Sequence, residues 1–153
     1  MIKEGFIKCY AAAILLRKCK RVIKLSNKSL PVLYDIRKYQ EELDLPKHAL
    51  LQEMATRWWS ILAMLENLRK NIEPVELALQ KGDKVKMILS QQEQNHVKEI
   101  ITLLRKFKFV GEQLDKENDV TISQIIPWFN HLNDEVLKHN VSDSSLIQSM
   151  KHI

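Results

Sequence analysis

Glycine is the residue this chain almost lacks: only Gly5, Gly82 and Gly111 stand among 153 residues. A β-sandwich or barrel needs a tight turn about every ten residues, and three glycines cannot supply them. A nucleotide-binding loop needs clustered glycines so that backbone can approach phosphate, and these three lie far apart. Both classes are excluded. Hydrophobic residues make up 45% and charged residues 28%, so a chain of single-domain size has enough apolar side chains to bury a core.

The apolar period is helical throughout. In the first segment Ile7, Ala11, Ile14, Leu15, Val22 and Leu25 are expected inside, with Lys18 snorkelling or marking the limit of the stripe, and Ser26 and Asn27 ending the helix. Ser29 is a candidate N-cap for a second helix, with Pro31 in its first turn and Leu33, Ile36, Tyr39 and Leu43 inward. Pro46 closes that helix, and a short stretch, Lys47 to Ala55, leads to Thr56, the next candidate cap. A third helix carries Trp58, Ile61, Leu62, Leu65, Leu68 and Ile72, and a short fourth runs from Pro74 through Leu79 with Gly82 as its stop. Ser90 and Glu93 form a capping box before a long helix over 91–117, whose expected buried set is Val97, Ile100, Ile101, Leu104, Phe107 or Lys108, and Leu114. A sixth helix runs from about Thr121 to His139, kinked or started by Pro127. Prolines at 31, 46, 74 and 127 rule out one long coiled coil. The expectation is an all-α fold of about six helices in one domain, residues 1–140, with 141–153 as a weakly structured tail.

The net charge is +5, but its distribution matters more than its total. Residues 1–28 hold Lys3, Lys8, Arg17, Lys18, Lys20, Arg21, Lys24 and Lys28 against a single acid, Glu4, so the rest of the chain is net acidic. Lys3, Arg17, Lys20, Arg21, Lys24 and Lys28 collect on one helix face, with Phe6 and Tyr10 among them. Such a stripe is either a solvated face or a salt-sensitive, sequence-blind site for phosphate or an anionic surface. Cys9 and Cys19, ten residues apart on one helix, lie about 15 Å apart along its axis and cannot bridge. They read as packing residues in a reducing compartment. The apolar run from Phe6 to Leu16 is interrupted by Lys8, lacks a cleavage site and is too short to span a membrane, so the chain reads as soluble and intracellular.

No catalytic constellation is legible. Glu41, Glu42 and Asp44 sit at a helix end, and Asp115, Glu117 and Asp119 form a polar loop, solvated runs without the burial or close partner that acid–base catalysis needs. His131, Glu135 and His139 share a helix face without a fourth ligand, so no metal site and no cofactor is assigned. Arg57-Trp58-Trp59 is different. A helix turns about 100° per residue, so Trp58 and Trp59 cannot both face the core, and one indole is left at its margin beside a guanidinium. A wide stacking plane beside a forked phosphate contact suits nucleic acid; equally, a buried Trp58 and a half-buried Trp59 under the Arg57 stem would be simple packing.

The stretch from Leu45-Pro46 through Thr56-Arg57-Trp58-Trp59-Ser60 resembles a signature of hAT-superfamily transposases. In these, and in the BED zinc-finger proteins derived from them, a leucine-proline segment leads into D-V-x-T-R-W-N-S-T and then M-L-E-R-L. Met64-Leu65-Glu66-Asn67-Leu68 follows at the matching distance, and Val120-Thr121-Ile122-Ser123-Gln124-Ile125-Ile126-Pro127 is similar to the family's V-T-I-S-x-V-I-P. The segment Arg17-Lys18-Cys19-Lys20-Arg21-Val22-Ile23 resembles the one that precedes them, so the likeness covers most of residues 10–138.

The resemblance implies the all-α insertion of an RNase H-like transposase. The family's catalytic carboxylates map nowhere onto this chain, nor does its BED finger or dimerisation segment, so no enzymatic activity is expected. Arg57 and Trp58 match the pair placed near the cleaved DNA end, the tryptophan supporting a flipped base, while Glu53, Trp59 and Ile61 depart from the usual Asp, Asn and Thr. The expectation is a transposase-derived, catalytically inactive helical fragment, nuclear by resemblance. DNA is its partner, through Arg57, Trp58, Arg17, Lys20, Arg21 and Lys24. The alternative is a helical protein-interaction module, binding a partner through apolar faces left exposed, or a remnant with no selected function.

Overall fold

A computed structural model describes residues 9–54, 59–116, 126–127, 130, 134, 137–138 and 143–151. Every regular element among them is helical: α1 (Tyr10–Lys28), α2 (Leu30–Glu42), α3 (Ser60–Lys70), α4 (Ile72–Lys81), a 3₁₀ turn (Val85–Met87), α5 (Gln91–Lys116) and α6 (Ser145–Lys151). The all-α class is present, with six α-helices among the described residues. Most of Thr121–His139 lies outside the described residues, its described residues 126, 127 and 130 being helical, and the stretch read as a tail holds α6. No described helix is long and apolar enough to cross a membrane. The chain groups into two compact units, Ile14–Val97 and Met1–Ala13 with Lys98–Ile153.

In the unit Ile14–Val97, α2 packs along α4, and Lys81 Nζ meets the buried Asp35 carboxylate between them at 2.6 Å. That hydrogen bond holds the Lys81 ammonium above the ordinary lysine value. The core is built from Leu15, Leu16, Val22 and Ile23 of α1, Val32 and Ile36 of α2, Ile61, Leu62, Met64, Leu65 and Leu68 of α3, and Val75, Ala78 and Leu79 of α4. Ile61, Leu62, Leu65 and Leu68 are buried as expected, whereas Trp58 lies outside the described residues and Ile72 is half-buried in α4. Leu15, Val22 and Ile36 are also inward as expected, and other positions of α1 and α2 are corrected. Ala11 and Ile14 are exposed, while Cys9, Ala12, Cys19 and Ser26 are buried, so the inward face of α1 is the one carrying small residues. In α2 the buried set is Val32, Asp35, Ile36 and Gln40, whereas Leu33 and Tyr39 are half-buried and Leu43 is exposed. Ser26 and Asn27 do not end α1, which continues through Lys28, and Ser29 occupies the α2 cap position without a side-chain cap bond.

Two helices stop in the same way. At the end of α2, Leu45 N–H donates to Gln40 O and Asp44 N–H to Glu41 O; at the end of α4, Lys84 N–H donates to Leu79 O and Asp83 N–H to Gln80 O. Both are Schellman pairings, and Asp44 and Asp83 hold the left-handed position at φ 53°. Gly82, the expected stop, lies one residue earlier at φ −81°. Its hydrogen serves close packing instead, since a Cβ there would sit 3.3 Å from Ala78 O. The capping box of α5 forms as expected, with Ser90 N–H donating to Glu93 Oε2 at 2.7 Å and Glu93 N–H to Ser90 Oγ at 3.2 Å.

In the other unit, α5 buries Ile100, Ile101, Leu103, Leu104 and Val110, leaving Phe107 and Lys108 only half-buried. Helix α6 buries Leu146 and Ile147, more order than the weakly structured tail expected. Ser144 Oγ donates to Glu99 Oε2 at 2.6 Å, and Lys151 Nζ reaches Asp143 Oδ2 at 2.7 Å and Lys138 O at 2.9 Å.

Both cysteines are buried free thiols. Burial pushes the Cys19 thiol up to about 12, and the Glu93 carboxylate adds to the rise. Only the thiolate is nucleophilic. Iodoacetamide at pH 8, with site mapping by mass spectrometry, is therefore expected to leave Cys19 unmodified in the native protein and to label it fully in denaturant. Labelling at equal rates in both states would contradict its burial.

Candidate nucleic-acid interface

No acidic residue occurs anywhere in Tyr10–Lys28, and the run Ala11-Ala12-Ala13-Ile14-Leu15-Leu16 supplies strong helix formers. Its charges therefore fall wherever the helical period puts them. Arg17, Arg21, Lys24 and Lys28 follow at i, i+4, i+7 and i+11, and all four are exposed. At 1.5 Å per residue they form one row about 16 Å long. None of the four has a carboxylate partner among the described residues. Lys28, in the last turn, also faces the negative end of the helix dipole.

Two further cations of α1 flank this row and are engaged. Lys18 is half-buried, and its Nζ lies 2.6 Å from Glu93 Oε2, the oxygen that also caps α5. Burial raises the Glu93 carboxyl, but hydrogen bonds from the Lys18 ammonium and from Ser90 outweigh it, so Glu93 lies below the ordinary glutamate value. Lys20, with 42% of its side chain exposed, pairs with Glu53. Of the charges expected on this face, Arg17, Arg21 and Lys24 are open to solvent, Lys20 is shared with a carboxylate, and Lys3 lies outside the described residues.

The partner of Lys20 belongs to a feature that sequence reasoning passed over as a short connection. Leu45–Met54 is an extended strap without regular structure, sewn down by side chains of three helices. Asn27 of α1 donates through Nδ2 to Leu50 O at 2.7 Å and accepts from Leu50 N–H at 3.0 Å. Gln40 of α2 donates through Nε2 to His48 O and accepts from His48 N–H, both at 3.2 Å. From α3, Asn67 Oδ1 accepts from Leu51 N–H at 3.0 Å, and Ser60 Oγ donates to Met54 O at 2.8 Å. A strap has no neighbouring strand to satisfy its backbone, and an amide side chain offers one donor and one acceptor in the geometry of a peptide. Asn27 and Gln40 each imitate one step of a β-ladder. The signal that could have revealed this was the amides themselves, with Gln40 falling on an apolar helix face and Asn71 buried at the junction of α3 and α4.

Arg57 and Trp58 lie outside the described residues, as do Thr56 and the trio His131, Glu135 and His139. The chain resumes at Trp59, which is half-buried at the N-cap position of α3, its carbonyl accepting from Ala63 N–H. Glu41, Glu42 and Asp44 are exposed at the end of α2. Among the described residues, no three His, Cys, Asp or Glu side chains come together to hold a metal ion. No protein-family model matches this chain, and no curated protein matches it.

Proposed function

We propose that this chain is a transposase-derived helical module that catalyses nothing and associates with nucleic acid through the basic row of α1 and the Arg57/Trp58 corner, in the nucleus. The observation that carries the reading is the row itself: four exposed cations in register, on a helix without an acid. Each phosphate it neutralises releases counterions, an attraction blind to sequence. The Lys20–Glu53 pair supports a link to the motif, because it ties to α1 a residue only four positions before Arg57. The resemblance to hAT transposases supplies the assignment of Arg57 and Trp58, and the absence of mappable catalytic carboxylates supplies the inactivity. A protein-interaction module is the competing reading, favoured by Leu51 and Met54, which the strap leaves about half exposed.

Anisotropy with fluorescein-labelled single-stranded and duplex oligonucleotides tests the corner. Stacking on one unpaired base is worth about 1–3 kcal/mol, so Trp58→Ala is expected to weaken single-strand binding about tenfold to a hundredfold while leaving duplex binding in place. Trp58→Phe should retain most of it. Equal loss on both polymers with an unchanged melting curve, or no effect on either, removes Trp58 from the interface. If Trp58→Ala unfolds the chain and the unmutated protein binds neither polymer at low salt, the protein-interaction reading replaces this one.

A further inference from the structure

Helix α2 follows the basic row of α1 almost at once. A single residue, Ser29, separates Lys28 from Leu30, and the turn is tight: Ser29 N–H donates to Leu25 O at 3.0 Å and Leu33 N–H to Ser29 O at 2.9 Å. Beyond it, α2 turns Val32, Asp35, Ile36 and Gln40 inward and leaves Leu30, Tyr34 and Arg37 in one row outward. Leu30 is 78% and Tyr34 70% exposed, which makes Tyr34 the most open aromatic side chain of this unit among the described residues. Its hydroxyl makes no hydrogen bond there. The nearest carboxylate in sequence, Asp35, is buried and neutralised by Lys81. An aromatic ring thus stands in solvent one helical turn from Arg37, on the helix that follows Lys28, and the next outward position of that row, Glu41, is paired with Lys47.

Every nucleic-acid base has a π-face, and proteins that hold single strands combine a cationic track with aromatic platforms on which unpaired bases stack. A duplex hides those faces. We propose that Tyr34 is such a platform, so that the surface formed by Lys24, Lys28, Tyr34 and Arg37 prefers a single strand, the cations holding phosphates on either side of a base stacked on the ring. The inference rests on the nucleic-acid reading above but not on Trp58, which is a separate contact.

The test uses the full chain with a fluorescein-labelled oligothymidylate, a labelled duplex, and a single strand carrying 2-aminopurine, whose emission is quenched on stacking. Tyr34→Ala is expected to lower oligothymidylate affinity about tenfold or more, to leave duplex affinity and the salt slope unchanged, and to relieve the 2-aminopurine quenching. Tyr34→Phe keeps the π-face and should behave as the unmutated chain. Tyr34 is open to solvent, so the substitution leaves the melting curve in place. Loss of both affinities together, or unchanged single-strand affinity and quenching in Tyr34→Ala, overturns the platform while the nucleic-acid reading stands. If the unmutated chain binds neither polymer at low salt, both readings fall.

Discussion

Replacing Gln40 by leucine is expected to destabilise the protein by about 2–4 kcal/mol, although the two side chains are similar in size. Gln40 is fully buried in α2, and its amide serves three partners. It donates to His48 O at 3.2 Å and to Asn71 Oδ1 at 2.7 Å, and accepts from His48 N–H at 3.2 Å. Leucine supplies none of these bonds. Each contributes about 1 kcal/mol, and a buried polar atom left without a partner costs about 1–3 kcal/mol more. The Asn71 oxygen, on a residue only 3% exposed, is such an atom. Leucine's greater hydrophobicity offsets part of the loss. Urea denaturation measures the effect, with Gln52→Leu as the control because Gln52 is exposed on the same strap and should change stability by less than about 0.5 kcal/mol. A double-mutant cycle with Asn71→Ala should show coupling above about 0.5 kcal/mol. A loss for Gln40→Leu no larger than the control's would mean that the amides do not hold the strap.

The strap also marks the limit of what the sequence made legible. Helices announce themselves by period and caps, and the expectation was good wherever those signals dominate. The Ser90/Glu93 box, the apolar set of α3 and the long reach of α5 were all readable. On α1 hydropathy locates Leu15 and Val22 but misses the small residues beside them. Close helix packing selects small residues, so Ala12, Cys19 and Ser26 go inside while the larger Ile14 stays out. Glycine usually occupies the left-handed position, which points to Gly82 as the stop of α4; aspartate tolerates it too, and Asp83 holds it here. Helix α6 was hidden by its serines. Its helicity comes from burying Leu146 and Ile147 and from Ser144, whose hydroxyl bonds Glu99, neither of which a local pattern reveals. The alignment of Arg17, Arg21, Lys24 and Lys28 was legible, since it needs only the 3.6-residue period, but the pairing of Lys20 with Glu53 was not.

Removing that row should have the largest effect on binding. The variant changes Arg17, Arg21, Lys24 and Lys28 together to alanine, which preserves helix propensity at positions that are already exposed. Lys20 stays, because it is paired with Glu53, whose side chain is only 15% exposed. Duplex affinity at about 50 mM salt is expected to fall a hundredfold or more, since the row supplies most of the cations on this face. Single-strand affinity should fall with it, because phosphate is common to both polymers. The melting curve should move little. This pattern differs from that of Trp58→Ala and Tyr34→Ala, which act on unpaired bases alone.

Salt dependence of duplex binding by the unmutated chain tests the central claim most directly. Four phosphate contacts on duplex DNA give a slope of about −3.6 in log K against log salt, and the fourfold variant should flatten it towards zero. Binding that is absent at about 50 mM salt, or a slope that the fourfold variant leaves unchanged, would show that the exposed cations of α1 are a solvated face and that nucleic acid is not the partner.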